Sequence, residues 1–399
     1  MAGPEKIEEQ TLSFYFKKKY YPVKIGQIFN NRYRIIAKLG YGAYSTVWLS
    51  WDGRASEYIS LKVSVRVNNA ETCPVFNEVN MLRRLREFEE KEEAKYGDKH
   101  IGLPYIRLAN EIFETESQFG QHYCMAFKSQ GSSLRTLQEL IPTSRMPRSM
   151  TKCFIHRLLF VMNWLHVTCN VAHTDISAQN ILMEIENDSI LKDVEARAPL
   201  TNSVPITNDD GSVVYKSVPV EPRITSQPIL TDFGQMRAIE EGGNNDWWMS
   251  DLYRAPEIVL GLPWGCPVDM WSIGVMTLEL LEGNNIFDPV DRVHSQYVLP
   301  LALAQYIGYL GPPPLELIQQ SPIFSNYFDE DGNWALSSEL EIPQNSLEEF
   351  VTSIPPGEEK DQFLRFIRKM LTWDPKKRAR ADELAGKDDW LLSPVEWEI

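Results

Sequence analysis

His173-Thr174-Asp175-Ile176-Ser177-Ala178-Gln179-Asn180, followed downstream by Asp232-Phe233-Gly234, is the stretch on which the reading of this chain turns. An isolated Asp-Phe-Gly carries no information. Placed after His-x-Asp-x-x-x-x-Asn it becomes specific, because two acids and an amide then recur at fixed offsets. The stretch also holds an oddity: residues 177–179 are all uncharged.

Upstream, Gly40-Tyr41-Gly42-Ala43-Tyr44-Ser45-Thr46-Val47 lies between two segments of strand-like alternation. Glycines there let a backbone approach phosphate groups without an intervening side chain. A plain hairpin explains the run equally well, so its weight comes from its company. Ile59-Ser60-Leu61-Lys62-Val63 buries a lysine in an apolar strand, which is unfavourable unless the lysine is paired or reaches an edge. Glu78 follows on a segment where Phe76, Val79, Leu82 and Leu85 recur at helical spacing, and a Lys62–Glu78 pair is expected.

The 399 residues suffice for two domains or lobes, and 43% hydrophobic with 11% aromatic content belongs to a folding chain, not a disordered one. A formal charge of −15 argues against nucleic acid and for basic partners. Five cysteines without a Cys-x-x-Cys pair suit a reducing compartment. Charges from Glu5 to Lys19 leave no apolar core for a secretory leader, and no apolar run is long enough to span a membrane. A monomer in the cytoplasm, the nucleus or both is expected. Strand-like sequence at 33–65 and 106–128 and helical spacing from Phe154 through Leu158, Met162 and Leu165 give an α+β chain with two lobes joined near Lys128–Gly131. Residues 184–228, with Asp210-Gly211 and many turn formers, read as a loop insertion with a short hairpin around Val213–Val220. From Ser295 to Glu359 there is no Lys or Arg, so this is the most electronegative stretch.

From about Tyr21 to Leu391 the chain resembles the eukaryotic protein kinases, and among them the SR-protein-specific kinases of the CMGC group, as a divergent, fungal-type member. The resemblance rests on Tyr21-Pro22-Val23-Lys24-Ile25-Gly26 before Arg32-Tyr33, on Lys38-Leu39-Gly40 leading to Ser45-Thr46-Val47-Trp48-Leu49 and Trp51-Asp52, and on His173-Thr174-Asp175. The long spacer before Asp232 and Tyr306-Ile307-Gly308 with Leu310-Gly311-Pro312-Pro313 add to it. It implies a bilobal kinase fold: an extension at 1–20, a β-rich N-lobe with one main helix at 21–130, and a larger, mainly helical C-lobe at 131–399. The C-lobe would carry the 184–228 spacer and a CMGC-type insert at about 285–359. It implies ATP and Mg2+ as cofactors, with Gly40, Gly42, Ser45, Val47, Lys62, Phe127 and Lys128 on the nucleotide, and residues 128–130 supplying backbone hydrogen bonds. Asp175 would serve as base, Lys62 and Glu78 as a phosphate-holding pair, and Asn180 and Asp232 as metal ligands. Glu257 would pair with Arg378, and Asp269 would support the backbone around Asp175. The implied substrates are serines in basic, Arg/Ser-rich, splicing-type proteins, docked on an acidic groove.

Two departures matter. Serine/threonine kinases usually place a lysine where this chain has Ser177, and loss of one positioned cation typically costs on the order of 10²–10³ in rate. The alternatives are therefore a pseudokinase or nucleotide-binding scaffold, and a small-molecule phosphotransferase. Against the latter stand Ala255-Pro256-Glu257, Asp269 and Arg378. Thr174 stands where most kinases carry an arginine that binds a phosphorylated activation segment, so that switch is not expected here.

Overall fold

The computed structural model describes residues 6–12, 15–67, 73–202, 206–207, 213–225 and 227–394. The chain divides into two compact units. The first comprises residues up to Ala94, Ile106–Ser132 and Leu182–Gly234. The second comprises Lys95–Tyr105, Ser133–Ile181 and residues from Gln235 onward.

The first unit is built on a six-stranded antiparallel sheet. Its strands are β1 (Ile28–Phe29), β2 (Tyr33–Gly42), β3 (Ser45–Asp52), β4 (Glu57–Ser64), β5 (Glu111–Ser117) and β6 (Gly120–Lys128), in the order β1-β2-β3-β4-β6-β5. Period-two alternation divides its side chains between two faces. Ile35, Trp48, Ile59, Leu61, Val63, Cys124 and Ala126 pack in one cluster, and Ile36, Ala37, Leu49 and Tyr58 belong to another. The helix Pro74–Tyr96 buries Val75, Glu78, Val79, Leu82 and Leu85, so the expected stripe forms with a carboxylate inside it.

The spacer departs from its expected loop character. Ser189–Thr201 is a helix, and Ile190, Leu191, Val194 and Ala198 cover the second sheet cluster together with Val218 and Val220. An apolar stripe at helical spacing finds a complementary apolar face there, which offsets the entropy of ordering the segment. Residues 182–234 accordingly group with the sheet and not with the helical unit. The short pairing here joins Ile206–Thr207 to Val213–Val214, while Asp210-Gly211 lies outside the described residues.

The second unit is mainly helical. Its central helix, Pro267–Glu282, is buried at every position from Val268 to Glu282, as suits a helix with apolar residues all round. It ends at Gly283, whose φ of +76° favours glycine and whose added Cβ would lie 2.7 Å from the Thr143 carbonyl oxygen. The Arg148–Asn163 helix buries Phe154, Leu158 and Met162, and Leu165 follows on a wider turn. Trp271 of the central helix forms an aromatic group with Phe287 and Tyr306, with Trp271 and Phe287 stacked at 5.6 Å. Among the described residues no helix is long and apolar enough to cross a membrane.

Candidate active site

In the first unit, the β2–β3 hairpin turns between Gly42 and Ser45, with Gly40 opposite Val47. A Cβ at Gly40 or Gly42 would meet nothing within 4 Å, and neither glycine has a positive φ. Nothing in the chain itself requires glycine there. The bare backbone is suited to a ligand that must approach closely.

Val47 lies opposite Lys62 across β3 and β4. The Lys62 ammonium donates to both carboxylate oxygens of Glu78, at 2.5 and 2.7 Å. Burial works against the ammonium, but Glu78 and then Asp232 outweigh it, and the lysine pKa is raised. Burial pushes the Glu78 carboxyl up, and Lys62 opposes that rise without cancelling it. Asp232 has a left-handed backbone, φ +64°, and its Oδ1 accepts from the Gly234 N–H at 3.3 Å. The Gly234 carbonyl accepts from the Asn77 amide at 2.9 Å, fastening Asp-Phe-Gly to the helix that carries Glu78. Phe127 is buried in β6, and Lys128 pairs with Glu184 at 2.6 Å.

Sequence reasoning passed over Arg107. Its guanidinium lies 4.6 Å from the centre of the Phe127 ring and donates to the Lys128 carbonyl at 3.3 Å. Burial brings its pKa down to about 10, with Glu78 opposing that fall. A lone arginine between apolar residues gave no periodic signal to find it by.

In the second unit, Asp269 at the start of the buried helix accepts the backbone N–H groups of His173 and Thr174, each at 2.8 Å. His166 Nε2 stands 2.8 Å from the same carboxylate. This fixes Thr174 in a left-handed conformation, φ +66°, unusual for a β-branched residue. Asp175 follows at once. The Asn180 amide nitrogen donates to the Asp175 carboxylate and to its backbone carbonyl, both at 2.8 Å. Both acceptors are oxygens, so the amide nitrogen must face them and the amide oxygen points elsewhere. Ser177 stands between them with an extended backbone and brings no charge.

Thr174 Oγ1 donates to the Gln235 carbonyl at 2.7 Å and accepts from the Trp248 indole N–H at 3.1 Å. The Arg237 guanidinium lies 3.5 Å from the Trp248 ring centre, a cation–π contact. Thr174, Asp175, Gln235 and the run Trp247–Ser250 line a cavity of about 250 Å³. Trp248 is a further residue that the sequence reading did not single out. Glu257 and Arg378 form the expected pair, with both guanidinium prongs at 2.8 Å.

In the first unit Asp232 offers carboxylate oxygens, and in the second Asn180 offers an amide oxygen, each a donor type that a hard divalent cation accepts. Among the described residues no group of three or more His, Cys, Asp or Glu could enclose a metal. Oxygen donors of this kind are compatible with Mg2+, which also takes phosphate oxygens and water as ligands.

A sequence model described as the protein kinase domain matches residues 33–391. The chain is 33% identical over 396 residues to a serine/threonine protein kinase of Aspergillus fumigatus, covering 97% of this chain and 91% of that protein. It is 27% identical to a serine/threonine-protein kinase SRPK of Physarum polycephalum, covering 94% and 89%. It is also 24% identical to protein kinase dsk1 of Schizosaccharomyces pombe, covering 98% and 86%. The chain belongs to the protein kinase family, in its serine/threonine class, and resembles the SR-protein-specific kinases. That membership implies ATP as the phosphoryl donor.

Proposed function

We propose that this kinase transfers the γ-phosphoryl group of ATP, with Mg2+, to serine hydroxyls in basic, Arg/Ser-rich proteins. The observation that carries the reading is the Asp175–Asn180 contact, held in place through the two backbone bonds to Asp269. Asp175 takes or orients the proton of the substrate hydroxyl. Lys62, kept charged by Glu78, holds the α- and β-phosphates, and the bare backbone at Gly40 and Gly42, with Ser45 and Val47, covers them. Phe127 backs the adenine site, and residues 128–130 supply its backbone hydrogen bonds. Asn180 and Asp232 would be the residues that hold the metal, which would supply charge neutralisation for the phosphate oxygens. The basic substrate preference is supported by the exposed acids Asp329, Glu330, Asp331, Glu339 and Glu341, and by the likeness to an SRPK.

A second reading, nucleotide binding with little turnover, is favoured by one observation: residues 177–179 put no cation after Asp175. Phosphate transfer from labelled ATP–Mg2+ to an Arg/Ser-repeat peptide, with Asp175→Ala as control, decides between them. Transfer abolished by the substitution supports the kinase. Intact ATP binding without transfer to this or any general basic substrate sinks it in favour of the second reading.

A further inference from the structure

Two segments the catalytic reading leaves unused converge on the strand that enters the glycine hairpin. Residues 6–12 and Tyr20 precede the span matched by the family model, and residues 215–218 belong to the spacer. Lys38 lies on β2 just before Gly40, and its side chain is wholly buried. Its ammonium pairs with Glu9, lies 3.6 Å from Glu8 and donates to the Tyr215 carbonyl at 3.1 Å. The Glu8 carboxylate in turn accepts the Ser217 N–H at 3.0 Å and its hydroxyl at 2.7 Å. The Lys38 carbonyl accepts from the Val218 N–H at 2.7 Å. At the hairpin tip the Tyr20 hydroxyl is 2.8 Å from the Gly42 carbonyl oxygen and 3.1 Å from that of Ala43.

A buried ammonium deprived of its partner is strongly destabilising, so the segment carrying Glu9 is part of the folded unit and not an appendage. The Tyr20 contact acts elsewhere, on the two carbonyls of the turn. A turn fixed before the ligand arrives loses less freedom on binding, and affinity rises accordingly.

We infer that residues 8–12 and Tyr20, braced by spacer residues 215–218, form a positioning element for the glycine hairpin, with Glu9 and Tyr20 as its positioning residues. They hold the backbone at 40–43 ready for the phosphates of a nucleotide. The inference rests on the proposed nucleotide role of that hairpin.

The test is Tyr20→Phe in the full chain, which keeps the ring and removes the O–H. ATP binding is titrated directly, KM for ATP is separated from kcat, amide hydrogen exchange is followed over residues 40–46, and the melting temperature is recorded. Loss of one such hydrogen bond is expected to raise the ATP Kd roughly three- to tenfold. KM for ATP should rise in step, kcat at saturating ATP should hold, and exchange at 40–46 should quicken with little change in melting temperature. Glu9→Gln should do the same with a lower melting temperature; if it fails to fold, Tyr20→Phe alone decides. Unchanged affinity and exchange in Tyr20→Phe, alongside weakened ATP binding in Lys62→Ala, overturn the inference and leave the nucleotide site standing. A parent chain that binds no ATP overturns both.

Discussion

Arg378 and Glu257 form a two-pronged ion pair with neither side chain exposed, and the guanidinium also donates to the Pro267 and Thr372 carbonyls. Removing one partner strands the other in a fully buried site. Arg378→Ala or Glu257→Ala should therefore destabilise the helical unit by about 3–5 kcal/mol. Denaturant titration followed by far-UV circular dichroism checks this, and a midpoint equal to the parent's would contradict it.

Asp269 acts by accepting two N–H groups, so replacing one of its oxygens with a donor should be enough to disturb Thr174 and Asp175. Asp269→Asn is expected to lower kcat by roughly 10–100-fold, by analogy with loss of other outer-shell supports. ATP affinity should change little, because Lys62 and the glycine hairpin are untouched. Paired measurements of kcat and ATP Kd separate the two effects.

Ser177 offers a gain-of-function test. If the missing cation limits turnover, Ser177→Lys should raise kcat roughly tenfold or more, short of the full 10²–10³ that a fitted stabiliser can supply. Steady-state kinetics on one Arg/Ser peptide would show it. An unchanged kcat would mean that chemistry is not limited by charge at this position.

The acidic stretch is uneven as a docking surface. Asp329 accepts the backbone N–H groups of Asp331 and Asn333 and the Asn333 amide, so it shapes its own turn. Glu348 is paired with Arg368 at 2.5 Å. Glu330 and Asp331 are the better probes. Glu330→Lys with Asp331→Lys should weaken binding of a basic peptide several-fold at low salt, with the difference shrinking as salt rises. Fluorescence anisotropy at two ionic strengths would register either outcome.

Arg32, then the Arg54 and Ala55 N–H groups, hold the Asp52 carboxyl at about 2. Its folded pKa lies below its unfolded one, so its contribution is fully present above about pH 4 and is lost as pH falls towards 2. Asp52→Asn should be less stable than the parent at neutral pH. The gap should narrow below pH 4, read from urea midpoints across that range. A gap that is constant down to pH 2 would exclude the pairing as its source.

The site was legible where chemistry demands a residue type at a fixed place. Lys62 in an apolar strand needed a partner, and Glu78 on an apolar helix stripe was the group to supply it. Asp175 and Asn180 sit so close in sequence that any fold placing one nearly places the other. The spacer helix was harder to see, because its stripe from Ile190 to Ala198 runs into Pro199 and is flanked by turn formers. The Glu9–Lys38 pair joins residues far apart in sequence with no periodicity between them. Trp248 and Arg107 act through a few isolated hydrogen bonds and ring contacts, and such contacts leave no pattern in a linear chain.

The Trp248–Thr174 bond links two uncharged groups, which sets it apart from a closure built on a phosphate and an arginine. No phosphatase can undo it, and salt hardly weakens it. The same indole N–H also reaches the Gln235 carbonyl at 2.9 Å, so the segment after Gly234 is tied to Thr174 by groups whose charge does not change with phosphorylation.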